Sequence, residues 1–181
     1  MSKQVQTIQQ ITQYGNLKVG FIPLDIVNAV IIAANVVQNT TEGGRPDGNT
    51  APVLQRINSA TDKALRLTWV ATNVTELQFP SVALPPDLDD AAPIEVHLFC
   101  AKDANANTVT VAVGAFFGVG DTNAGGNTAT IAQARAKYVV SLAAAEVPAP
   151  PEILTVTLTP SAHAGDALYI DGAWLEYVRK A

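Results

Sequence analysis

The sequence has a single cysteine, Cys100, among its 181 residues, so no disulfide can form within the chain and no zinc cluster can rest on several thiolates. Cys100 lies inside an apolar run, which predicts a buried small hydrophobe rather than a reactive thiol. Charge is also scarce. Only 15% of residues are Asp, Glu, Lys or Arg, against about 25% in an ordinary soluble domain. The balance of 11 basic to 16 acidic residues is acidic, which argues against a nucleic-acid partner. Long hydrophobic runs are missing too. The longest, Ile26 to Val37, is broken by Asn28 and Asn35 and is too short to span a bilayer. Met1 to Tyr14 is polar and Gln-rich, without a basic segment leading into an apolar one. No secretory signal is therefore expected, and the chain is expected to be made and kept in a cytoplasm or freed when a cell breaks.

What the chain does contain is a 48% apolar fraction, too high for general disorder and enough for one sizeable core. Residues 1–17 space Val5, Ile8 and Ile11 among Gln and Thr, and read as an extended or partly helical arm. Residues 18–181 read as short strands separated by turn signals. In Ile94 to Ala101, the residues Ile94, Val96, Leu98 and Cys100 share one face. In Thr108 to Phe117, Val109, Val111 and Val113 alternate with smaller or polar residues, and Leu154, Val156 and Leu158 do the same in Ile153 to Thr159. Leu65, Leu67 and Trp69 are expected inward, as are Leu77 and Phe79, with Ala71-Thr72-Asn73 as a hairpin loop between them. Pro80 to Pro93 reads as a connection crossing between layers. Asp171-Gly172 sits between two alternating segments, 167–170 and 173–178, and predicts a tight hairpin. Many strands and no convincing long helix predict an all-β fold: a jelly-roll-like sandwich, with an immunoglobulin-like sandwich as the alternative.

Candidate chemistry is thin. His97 follows Glu95 at strand spacing, an arrangement capable of acid–base work but equally ordinary on a half-solvated sheet face. Ser161, His163 and Asp166 have the residue types of a catalytic triad, yet they crowd one turn and no G-x-S-x-G elbow is present. Asp87, Asp89 and Asp90 could offer oxygens to an ion but lack the spacing of a calcium loop, which leaves ion binding open. Gly118-Val119-Gly120 lacks the helix that a nucleotide-binding glycine motif requires. Trp69 is expected in the core. Trp69 and Trp174, with Tyr169 and Tyr177, are the residues available for a sugar-stacking platform, and whether Trp174 faces core or solvent is open. No catalytic, cofactor-binding or metal-binding residue is assigned, and the protein is expected not to be an enzyme.

The segments Phe116 to Thr122, Leu158 to Asp166 and Ala167 to Lys180 resemble a family of small structural proteins of tailed bacteriophages. The resemblance implies a capsid decoration or cement protein with a jelly-roll core. It would be a homo-oligomer, a trimer rather than a dimer, clasping the phage major capsid protein with its arm. Its place would be the virion, assembled in the host cytoplasm, with neither nucleic acid nor membrane as partner. The low charge fits a surface that is largely covered. The alternative is a receptor- or carbohydrate-binding module of a phage tail fibre.

Overall fold

The computed structural model describes residues 18–46, 52–58, 63–104 and 106–180; the arm at 1–17 lies outside them. The strands in chain order are β1 (Val19–Pro23), β2 (Val30–Ala33), β3 (Val36–Val37), β4 (Val53–Asn58), β5 (Lys63–Trp69), β6 (Glu76–Gln78) and β7 (Val82–Ala83). They continue with β8 (Ile94–Lys102), β9 (Val111–Phe117), β10 (Gly126–Asn127), β11 (Ala136–Leu142), β12 (Ile153–Pro160) and β13 (Leu168–Val178). Two antiparallel sheets pack face to face as the expected jelly-roll-like sandwich. One sheet runs β11-β8-β13-β5-β4, with β1 joining β13; the other runs β10-β9-β12-β6-β2-β3, with β7 joining β12.

The alternating apolar residues meet between the sheets. Ile94, Val96, Leu98 and Cys100 of β8 face Val111, Val113 and Ala115 of β9 and Leu154, Val156 and Leu158 of β12 in one continuous core. At roughly 25 cal/mol per Å² of apolar surface removed from water, this burial is the main drive for folding. Cys100 is buried as expected, and burial pushes its thiol far above its ordinary pKa. Ala34 and Asn35 take positive φ between β2 and β3, which closes the apolar run at 26–37 as a tight hairpin.

Three local expectations change. The segment at 71–73 is not a hairpin loop, because β5 and β6 belong to different sheets and the turn carries the chain across the sandwich. Leu65 is exposed, opposite the exposed Arg56 of the edge strand β4. Most consequential is Asp171-Gly172. The chain does not turn back there: β13 is one eleven-residue strand, and its register on β8 passes from Ile170 opposite Cys100 to Gly172 opposite Phe99. Asp171 is the extra residue of a β-bulge. Flanking strands explain the outcome, because β13 has β8 along one side and β5 then β1 along the other.

Candidate functional site

The bulge decides which side chains of β13 face solvent. Side chains alternate with period two, so one extra residue inverts the parity beyond it. Leu168 and Ile170 point into the core before the bulge, and Ala173, Leu175 and Tyr177 do so after it. Tyr169, Asp171, Trp174 and Glu176 consequently share the outward face. Without the extra residue, Trp174 would fall on the parity of Ile170.

Register then fills in the rest of that face. Glu176 lies between Glu95 of β8 and Phe21 of β1, and Trp174 lies between His97 and Pro23. Val139 and Ser141 of β11 extend the same rows beyond His97 and Glu95. Phe21 is 60% exposed, and Phe99 and Val139 are each 39% exposed, which leaves apolar side chains open to solvent on this sheet face. Trp174 is half-buried, and its ring tilts by 30° over the His97 imidazole at a centroid separation of 5.1 Å. His97 is therefore buried although it belongs to the outward face. Its Nε2 lies 2.9 Å from Glu95 Oε2 and 3.5 Å from Glu176 Oε2.

A second polar group occupies the other half of the face. Arg66 of β5 stacks over the Tyr169 ring, 4.4 Å from its centroid, and pairs through Nε with Asp171 Oδ1 at 3.2 Å. Arg135 reaches Asp171 Oδ2 from the opposite side at 2.7 Å. Burial raises the pKa of the Tyr169 hydroxyl, with Asp103 adding to the effect and Arg66 opposing it. Aromatic faces, carboxylates and guanidinium groups thus line one surface. Such groups are capable of stacking on and hydrogen-bonding to polyhydroxylated ligands.

The remaining sequence candidates lie elsewhere. Trp69 and Tyr177 are core residues. Ser161, His163 and Asp166 form no triad. Ser161 Oγ accepts a hydrogen bond from the Thr110 N–H, and His163 Nδ1 contacts the Ser161 backbone carbonyl rather than its hydroxyl. Asp166 pairs with Lys102 at 3.0 Å, away from the imidazole. The acidic loop is held by cations of the chain's own end, Asp87 with Arg179 at 3.3 Å and Asp90 with Lys180 at 3.1 Å. Asp89 Oδ1 accepts the Ala91 N–H. Gly118 and Gly120 take positive φ in the turn that follows β9. Residues the sequence did not single out are Phe21, Phe99, Arg66 and Arg135, which reach the face through non-local pairing.

No protein-family model and no curated protein matches the chain. Among solved structures, it is similar to the xylan-binding module CBM15 at 12% identity and a TM-score of 0.51, covering 90% of this chain and 99% of that one. It is also similar to the Clostridium thermocellum endo-1,4-β-D-xylanase 10B CBM22-1–GH10 modules complexed with xylohexaose, at 8% identity and a TM-score of 0.50. That match covers 87% of this chain and 27% of the xylanase chain, so this protein spans about a quarter of its length. At these identities the likeness is one of fold.

Proposed function

We propose that this protein is a non-catalytic binding module that holds a carbohydrate chain across the outward face of the six-stranded sheet. The observation that carries the reading is the parity-shifting bulge, which sets Trp174 and Tyr169 on one solvent-facing surface with Phe21, Phe99, Glu95, Glu176 and Arg66. Flat aromatic rings match the apolar faces of pyranose sugars, while the charged groups match their hydroxyls. The two modules of similar fold, whose names speak of xylan and xylohexaose, lend support and suggest the first ligands to try.

The test is a glycan array followed by calorimetry on the soluble polysaccharides that respond, xylans included. Phe21→Ala and Trp174→Ala should each weaken binding by roughly tenfold or more, the loss of one good stacking contact. Phe21 is the more exposed side chain, so its variant should melt with the parent. The absence of saturable binding to any glycan would refute the proposal.

A second reading draws on the exposed apolar side chains of the same face. In a homo-oligomeric virion protein, Phe21, Val139 and Phe99 would pack against protein rather than sugar, with residues 1–17 on the capsid shell. Native mass spectrometry and co-sedimentation with phage capsids distinguish the two. A stable trimer that sediments with capsids and ignores glycans would favour decoration.

A further inference from the structure

We propose that Glu95, His97 and Glu176 form a binding site for a divalent first-row transition-metal ion of the zinc type, on the same face as the proposed carbohydrate surface and sharing Glu95 and Glu176 with it. Glu95 and His97 stand two residues apart on β8, and Glu176 lies directly opposite Glu95 on β13. One donor atom from each residue lies within 4.8 Å of the others. The imidazole Nε2 is already 2.9 Å and 3.5 Å from the two carboxylate oxygens. Ligand atoms bonded at about 2.0–2.1 Å to one zinc ion are separated by roughly 3–3.4 Å, so the nitrogen needs no rearrangement. The carboxylates are 41% and 28% exposed, which leaves them room to close on an ion.

A further observation points to a cation. Like charges directly opposite on neighbouring strands are unfavourable, and among the described residues neither Glu95 nor Glu176 is paired with a Lys or Arg. The His97 side chain is 1% exposed, yet its Nδ1 has no hydrogen-bond partner. A metal held at Nε2 places the ring proton on that unpartnered Nδ1, a cost that the metal bonds must exceed. His163 offers no free nitrogen, because both of its ring nitrogens contact backbone carbonyls. One imidazole with two carboxylates suits zinc and its neighbours, whereas calcium and magnesium prefer oxygen alone. Three protein ligands leave a coordination position open toward solvent.

The experiment is calorimetric titration of the metal-stripped full chain with zinc ion alone, repeated with cobalt(II) to record its absorption. The expected result is one equivalent bound, a rise in melting temperature with zinc, and a cobalt spectrum of mixed nitrogen and oxygen ligation. His97→Gln should weaken zinc binding at least tenfold. The double variant Glu95→Gln/Glu176→Gln should do the same, and because both carboxylates are partly exposed it keeps the test sound if His97→Gln misfolds. No saturable zinc binding, or binding that the double variant leaves unchanged, would overturn the assignment. Neither outcome bears on the glycan result, which is read without metal.

Discussion

Replacing Lys102 with methionine is expected to lower the melting temperature by roughly 10 °C, because it leaves a buried carboxylate without its counter-charge. Lys102 and Asp166 are 5% and 0% exposed, and Nζ lies 3.0 Å from Oδ2. The same ammonium donates to the Asn107 carbonyl. Asp166 accepts the backbone N–H of Ala106 at 2.9 Å and of Asn107 at 3.1 Å. One side-chain pair thus ties the end of β8 to the connection toward β9 and to the turn before β13. Burial disfavours the Asp166 anion, but the Lys102 bond and the two backbone donors outweigh it and hold the pKa below 3.8. A carboxyl depressed in the folded state stabilises the fold above its unfolded pKa, and that contribution disappears as pH falls through the folded value. The parent should therefore lose this contribution progressively as pH falls from the ordinary carboxylate range through the depressed folded value, whereas the Lys102→Met variant, which lacks the contribution, should lose less stability over the same span. Thermal melts across an acid series check both statements. Lys180→Met, at the exposed pair with Asp90, is the control and should scarcely move the melt.

Trp69→Ala is expected to cost about 3–5 kcal/mol, measured by urea denaturation. The indole is fully buried at the end of β5, and its Nε1 donates to the Thr75 carbonyl at 2.8 Å. That bond anchors the turn through which the chain leaves one sheet for the other. Truncation removes a large apolar volume and strands the carbonyl together, so two mechanisms of loss coincide. A cost below about 1 kcal/mol would mean that the crossing is held by other contacts.

The faces of individual strands were legible in the sequence, and their partners were not. Alternation correctly places Ile94, Val96, Leu98 and Cys100 inside, because period two is a local property of the chain. Whether 65–69 and 75–79 fold against each other depends on the second sheet, which no residue in 71–73 encodes. Asp171-Gly172 misleads for the same reason: the dipeptide permits a turn, but strands on both flanks of β13 favour continuation with a bulge. The candidate site depends on that bulge and on Phe21, which meets Glu176 from more than 150 positions away. The Glu95–His97 pair was visible as spacing alone. That His97 would be buried on an outward face, beneath Trp174 and between two carboxylates, follows only from register.

The pairing of β1 with β13 has a mechanical consequence. Val19 lies opposite Val178, and the Arg179 N–H donates to the Lys18 carbonyl at 2.8 Å, so the sandwich is entered and left on adjacent strands at one end. Two attachment points separated by one interstrand spacing, about 4.8 Å, let the whole fold be spliced into a surface loop of another protein without prising that loop open. Tension applied between those points would peel β1 from β13 one hydrogen bond at a time, starting at Val19, rather than shearing the ladder as a block. Unzipping would then proceed along β13 toward Trp174 and would strip Phe21 and Pro23 from beside the candidate site while the core behind it still stood.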